Sequence, residues 1–342
     1  MLVVMNKSAT TQDVADVCSA ISALGYEARP MPGEQRTAIG VVGNDSRLDD
    51  SHIRGLPGVT KVIHVSAPYK QVSREWRPSR TVITLNNGVR IGGDEVVVMA
   101  GPCAVESEEK LMEVAAVVAK SGATILRGGA YKPRTSPYSF QGMGVDGLKI
   151  LAKAREQYGL AVITEAIDQE SADAVAEYAD IIQIGARNMQ NFALLKHVGG
   201  LGRPVMLKRG MSATMKEWLL AAEYILNAGN EQVILCERGI RSFDPATRNV
   251  MDITAIALAK TLTHLPIIAD PAHATGRRDM VAPVARASVA VGADGVMVET
   301  HPRPNEAFSD GPQSLFPEQL QLLIAQLSQI SEALGRPLAH LG

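Results

Sequence analysis

The stretch AVITEAIDQESADAVAEYADIIQIGA, residues 161–186, decides the fold. It opens on an apolar run, AVITEA (Ala161–Ala166), passes through a segment of helical pattern, and closes on a second apolar run, IIQIGA (Ile181–Ala186). Short runs that are apolar at nearly every position read as parallel strands covered on both faces. The unit repeats in both directions. VVVMAG (Val96–Gly101) and ATILRG (Ala123–Gly128) precede it. VMLKRG (Val205–Gly210), QVILCERG (Gln232–Gly239), PIIAD (Pro266–Asp270) and GVMVET (Gly295–Thr300) follow. The intervening segments are helical in pattern. In one of them Ser107 is the expected N-cap, Glu108 and Glu109 fall in the first turn, and Leu111, Val114 and Val118 face inward. Eight strands with their crossovers predict an α/β fold, a closed (β/α)8 TIM barrel whose strands all end at one rim.

Upstream, VITLNNGVRIGG sets Asn87-Gly88 between two alternating runs, a hairpin signal. Such a hairpin is placed to plug the bottom of the barrel. Residues 69–80, polar and mixed with Pro78, read as a linker, and 81–342 as the barrel with its hairpin. Residues 1–68 read differently. Leu2–Met5 is a strand. A helix follows with Thr11 as N-cap, Val14, Val17, Cys18, Ile21 and Leu24 on one face, and Gly25 at its end. Strands are expected at Tyr26–Met31, Ala38–Val42 and Val59–Val65, with a weak helix over Leu48–Arg54. The order β-α-β-β-α-β predicts a ferredoxin-like domain.

The 342 residues suffice for a barrel plus a smaller domain, and the net charge of −2 gives no hint of nucleic acid. No apolar run approaches the roughly 18 residues of a membrane span. The start MLVVMNKSATTQD lacks the pattern of a signal peptide. Three dispersed cysteines, Cys18, Cys103 and Cys236, suit a reducing cytoplasm. Cys18 and Cys236 read as packing residues.

The strand ends gather two sets of residues. One is cationic: Arg127, Lys132, Arg134, Arg187, Lys208 and Arg238. Taken singly, each is a solvated loop charge. Six on one rim repel one another unless a polyanion binds among them, and guanidinium and ammonium groups suit phosphate and carboxylate. Lys208 among arginines reads as an anion partner, not as a Schiff-base lysine. The other set is Cys103, His273, Glu299 and Asp310, a thiol, an imidazole and two carboxylates. That mixture suits a borderline divalent ion such as Mn, Fe, Co or Zn.

The motifs GPCAVES, LRGGAYKPRTSPYSFQG, TEA, IGARN, LKRG, ERG, DPAHATG and VETHP, in this order, resemble the 3-deoxy-D-arabino-heptulosonate-7-phosphate (DAHP) synthases of type I-beta. The resemblance covers Glu95–Leu327. Its most specific piece is Lys132-Pro133-Arg134-Thr135-Ser136, where the sister eight-carbon synthases carry a KANRSS-like loop. The resemblance implies condensation of phosphoenolpyruvate with erythrose 4-phosphate and water. It implies one divalent metal on Cys103, His273, Glu299 and Asp310, since metal-independent relatives have Asn at the position of Cys103. Arg127, Lys132, Ala186, Arg187, Lys208 and Arg238 are implied to hold phosphoenolpyruvate, and Arg134 and Thr135 the aldose phosphate, helped by Asp310. Lys132, Glu165, Cys103 and His273 are the implied catalytic residues. Glu165 or a water at the metal handles the proton of hydration, and this choice stays open. Residues 1–68 resemble a regulatory domain, implying tyrosine or phenylalanine as effector and a homotetramer. The competing readings are the eight-carbon synthase, with arabinose 5-phosphate as substrate, and a non-catalytic amino-acid sensor.

Overall fold

The computed structural model describes residues 1–33, 36–43, 49–63, 68–134 and 136–341. The chain divides into two units between Pro78 and Ser79.

The N-terminal unit runs β1 (Leu2–Met5), α1 (Thr11–Ala23), β2 (Glu27–Pro32), β3 (Thr37–Val42), α2 (Ser51–Arg54) and β4 (Val59–Ile63). The sheet order is β2-β3-β1-β4 and all three pairings are antiparallel, the ferredoxin-like arrangement. Val17 and Ile21 of α1 bury against Val3, Met5, Ile39 and Val41. Three details depart from expectation. The cap of α1 is Thr10, not Thr11, because Thr10 and Asp13 form a reciprocal capping box. Leu24 is 44% exposed, since the chain leaves the helix at Gly25, whose φ is +82°. The helix expected over Leu48–Arg54 is a single turn, Ser51–Arg54, and Asn44–Leu48 lie outside the described residues, as do His64–Ala67 at the expected end of the last strand. Residues 69–78, polar by composition, cluster with this unit. Their mixed character hides three buried anchors, Tyr69, Val72 and Trp76. Trp76 lies over β3 at Gly40, where a Cβ would fall 1.7 Å from a ring carbon.

The second unit is the barrel. A short hairpin, β5 (Ile83–Thr84) and β6 (Arg90–Ile91), comes first. The barrel strands are β7 (Val97–Gly101), β8 (Ile125–Arg127), β9 (Ala161–Ala166), β10 (Ile181–Ile184), β11 (Val205–Lys208), β12 (Val233–Glu237), β13 (Ile267–Ala269) and β14 (Gly295–Glu299). All pair in parallel, and β14 pairs with β7 to close the ring. Six strands stop short of the ends of their apolar runs, because the last residues of those runs leave the ladder and turn into the mouth, whereas β7 and β9 keep theirs. The helix Glu108–Lys120 is capped by Ser107 and buries Leu111, Val114 and Val118, as its pattern predicts.

The hairpin plugs the bottom. Ile83, Leu85, Val89 and Ile91 join one core with Val97, Ile125, Ile163, Ile181, Met206, Ile234 and Ile268. The Asn87 amide donates to the carbonyls of Thr124 (3.2 Å) and Gly159 (3.3 Å), just ahead of β8 and β9. Four buried apolar side chains at about 1.5–3 kcal/mol each make this closure a large share of local stability. With the bottom filled by hydrocarbon, the polar strand ends face the other rim.

Candidate active site

β7 delivers Cys103 to the mouth through Gly101-Pro102, and the thiol is buried. Its Sγ lies 3.1 Å from Asp310 Oδ2, 3.2 Å from Ser309 Oγ and 3.0 Å from Lys132 Nζ. Lys132 also donates to the Cys103 carbonyl at 2.9 Å. Burial, then the charge of Glu299, pushes the thiol up to about 11, against the pull of Lys132. A thiolate at this place therefore needs more positive charge than the protein's own cations supply.

Glu299 ends β14 and is 1% exposed. It accepts from Arg127 Nη1 at 2.9 Å and from Gln313 Nε2 at 2.6 Å. Arg127 also donates to the Pro102 carbonyl at 2.8 Å, tying β8 to the Cys103 turn. Asp310 has a φ of 53°, left-handed and alone in this among the described non-glycine residues. Aspartate tolerates that conformation better than bulkier residues. Here the turn aims its carboxylate back at Cys103. Ligand atoms of Cys103, Glu299 and Asp310 all lie within 4.8 Å of one another. His273 stands beside this group, its Nε2 3.5 Å from Glu299 Oε1 and 3.9 Å from Asp310 Oδ2. Its Nδ1 is held at 2.8 Å by Asp270 Oδ2, which fixes the ring with Nε2 turned toward the carboxylates. Burial raises the Asp270 carboxyl, but His273 and Lys208 outweigh it and hold it well below the usual range. A sulfur, two carboxylates and an oriented imidazole crowded together fit a borderline divalent cation, which would screen their mutual repulsion.

Against this group opens a cavity of about 110 Å³. Arg127, Lys132, Arg134, Ala186, Arg187, Lys208, Arg238, Glu165 and His273 all line it. The cations differ in how they are satisfied. Lys208 pairs with Asp270, and Arg127 with Glu299. Arg134 donates to Ser309 Oγ at 2.8 Å, while its Nε is buried without a partner. Arg238 is 5% exposed and among the described residues reaches only the Gly239 carbonyl, at 3.4 Å. Burial pulls its guanidinium below the usual range. Among the described residues, neither Arg187 nor Arg238 has a carboxylate at ion-pair distance. Glu165 accepts from Gln183 Nε2 at 3.2 Å. It leans over the backbone at Gly185, where a Cβ would sit 2.0 Å from its Oε1 and would have to push the carboxylate aside. Thr135 lies outside the described residues.

Some site residues escape a reading of strand ends. Arg248 lines the cavity from the loop before the helix Ile253–Leu262 and reaches Asp310 Oδ1 at 3.5 Å. Gln313 and Ser309 brace Glu299, Cys103 and Arg134 from the loop after β14. Gln183 stands inside a strand, and Asp270, though it ends its apolar run, acts through His273. Only the short spacing Asp270-x-x-His273 signals such a role in sequence.

Comparison with known proteins agrees with this geometry. The model of the DAHP synthetase I family matches residues 80–336, and that of the DAHP synthase ferredoxin-like domain matches residues 1–67. A phospho-2-dehydro-3-deoxyheptonate aldolase of Thermotoga maritima is 48% identical, over 98% of this chain and 99% of its own length. A crystal structure of the Thermotoga maritima DAHP synthase superposes with a TM-score of 0.79 at 47% identity, covering 99% of each chain. A 2-dehydro-3-deoxyphosphooctonate aldolase of Acidithiobacillus ferrooxidans is 35% identical over 63% of this chain and 82% of its own. Barrel, ferredoxin-like unit and full-length similarity together show that the chain belongs to the DAHP synthetase I family.

Proposed function

We propose that the chain joins phosphoenolpyruvate to erythrose 4-phosphate, with water, releasing phosphate and DAHP, a step toward the aromatic amino acids. The observation that carries this reading is the buried guanidinium of Arg238, which among the described residues has no carboxylate at ion-pair distance, in a cavity that it shares with Arg187 and that borders the Cys103–Glu299–Asp310 group. A buried cation without a counterion is costly unless an anion arrives.

Arg187, Lys208 and Arg238, with Arg127, Lys132 and the backbone at Ala186, hold the phosphate and carboxylate of phosphoenolpyruvate. Arg134 and Thr135 hold the aldose phosphate; the free Nε of Arg134 is an open donor for it. Fixing two anions side by side against their repulsion turns an encounter into a near-attack geometry. The same cations stabilise charge as phosphate departs. Cys103, His273, Glu299 and Asp310 are assigned as ligands of one divalent ion of the Mn, Fe, Co or Zn class, which supplies Lewis acidity toward the aldehyde oxygen. Glu165, held by Gln183 at the cavity wall, is positioned to take the proton when water adds. Lys208 is engaged by Asp270, which supports a role in charge pairing over amine chemistry.

The test is phosphate release from phosphoenolpyruvate with erythrose 4-phosphate against arabinose 5-phosphate, with and without a chelator. Faster release with the five-carbon sugar, the assignment favoured by the eight-carbon relatives, would overturn the substrate reading. The N-terminal unit is assigned as the seat of inhibition by tyrosine or phenylalanine, in a homotetramer. Removing residues 1–78 should keep synthesis and abolish inhibition. Inhibition that survives removal moves the effector site into the barrel. Three cysteines, none in a disulfide, support a reducing compartment, the cytoplasm.

A further inference from the structure

Lys208 and Arg209 are neighbours at the end of β11, yet only Lys208 lines the cavity. Alternation along a strand sends them to opposite sides. Arg209 is 6% exposed and spends its donors on protein. Nη1 bonds Glu237 Oε2 at 2.8 Å and Asp252 Oδ2 at 3.0 Å, and Nε bonds the Ala213 carbonyl at 3.0 Å. The guanidinium carbon also lies 5.9 Å from the Trp218 ring centre. One side chain thus touches three segments: the turn after β11, the end of β12, and the cap of the helix Ile253–Leu262.

What lies between the last two is the loop 238–252, which carries Arg238 and Arg248 to the cavity. Both ends of this loop rest on Arg209. Glu237 accepts from Gly239 N at 2.7 Å through its other oxygen, and Asp252 caps the helix through Ala255 N at 2.9 Å. The middle of the loop is stitched to the site's own walls. Arg241 N donates to Met211 O at 2.7 Å, Arg248 N to Thr275 O at 3.0 Å, and Asn249 Nδ2 to His273 O at 3.1 Å. The two ends of the loop therefore share one charged anchor, Arg209, while Arg248 within it reaches Asp310 Oδ1 at 3.5 Å.

We propose that Arg209 is a positioning residue for the anion site: anchored to both ends of the loop 238–252, it sets where Arg238 and Arg248 present their guanidiniums, without touching substrate itself. The proposal rests on reading that cavity as the phosphoenolpyruvate site. It explains why an arginine stands there. Glu237 and Asp252 share Nη1 while the Ala213 carbonyl takes Nε, so the set needs two nitrogens at a fixed separation on a planar fork, which a single ammonium does not supply.

Arg209→Lys separates this role from mere charge balance, since lysine still neutralises Glu237 but cannot reach Asp252 and Ala213 O together. In the metal-loaded full chain, the KM for phosphoenolpyruvate and its calorimetric dissociation constant should both rise about tenfold, the worth of one charged hydrogen bond, with kcat changed less than about twofold. Should Arg209→Lys fail to fold by near-ultraviolet circular dichroism, Arg209→Met combined with Glu237→Gln removes both buried charges at once and carries the same measurement. A folded variant of either kind that binds phosphoenolpyruvate as the wild type does overturns the positioning role. Arg238→Gln is measured alongside. If it too binds normally, the anion reading of the cavity falls and the proposal with it. If only Arg238→Gln weakens binding, the role of Arg209 alone is refuted.

Discussion

At the bottom of the barrel Asp294 is fully buried and every partner is in place: Lys260 at 2.6 Å, Arg336 at 2.9 Å and the backbone N–H of Ile267 at 2.8 Å. Asp180 is treated alike, with Val162 N at 2.8 Å and Asn86 at 3.1 Å. At the mouth, 5%-exposed Arg238 has one long carbonyl contact, and buried Cys103 is crowded by carboxylates. Asp294 and Asp180 differ from Arg238 and Cys103 in satisfaction, not in polarity. Buried charge that is fully paired holds a fold together, whereas buried charge left short of partners is held there for something that arrives.

The sharpest way to break this contrast is to remove one group from each end. Cys103→Ala should lower metal-dependent turnover by about 1000-fold or more, the loss of several kcal/mol of charge stabilisation. Its unfolding midpoint should stay near the wild type. Asp294→Ala should do the reverse, costing about 3–5 kcal/mol by leaving Lys260 and Arg336 facing each other, with turnover per folded molecule unchanged. Denaturant unfolding and steady-state kinetics on both variants settle it. An active Cys103→Ala enzyme would remove the thiol from the ligand set.

Arg238 offers a finer cut. Replacing it by Met should weaken phosphoenolpyruvate binding by about 100-fold, the value of a charged hydrogen bond at its upper range. Because the guanidinium is buried unpaired, the same change should leave stability equal or raise it by about 1 kcal/mol. Loss of both binding and stability would mean that Arg238 belongs with the structural charges after all.

These expectations also mark what was legible before folding. Strand ends were readable because each apolar run stops at a charge or a glycine, so Cys103, Arg127, Lys208, Arg238 and Glu299 could be placed on one rim. Arg248 and Gln313 were not. They reach the site on loops whose course depends on distant partners, Thr275 O for Arg248 and Glu299 for Gln313. Arg209 stands one residue past Lys208, and its side chain turns away from the cavity to Glu237, a supporting place that no sequence pattern signals. In the N-terminal unit the strands were legible from their apolar runs, while Trp76 was not, because it packs on Gly40 from 36 residues away.

Gln313 tests whether support at the mouth is graded. Gln313→Ala should reduce metal affinity about tenfold, the low end for partners of metal ligands, because Arg127 still holds Glu299 Oε1. Competition with a chromophoric chelator reads this without turnover. An affinity equal to the wild type would show that Arg127 alone orients Glu299.

The smallest effect is expected at the bottom. Asn87→Ala removes three side-chain bonds, two donated from the hairpin tip to the Thr124 and Gly159 carbonyls and one accepted from Val89 N within the hairpin. The site is partly open, so water can replace the amide, and the cost should be only about 1 kcal/mol. The urea midpoint should fall at constant slope, because the hairpin's apolar side chains still fill the bottom and the surface exposed on unfolding is unchanged. Turnover and phosphoenolpyruvate affinity should match the wild type, since the tip and the mouth lie at opposite ends of strands whose core is packed between them. A matching loss of activity would show that strain at the plug is transmitted along β8 and β9 to Arg127 and Glu165, and the two ends would have to be treated as one mechanical unit.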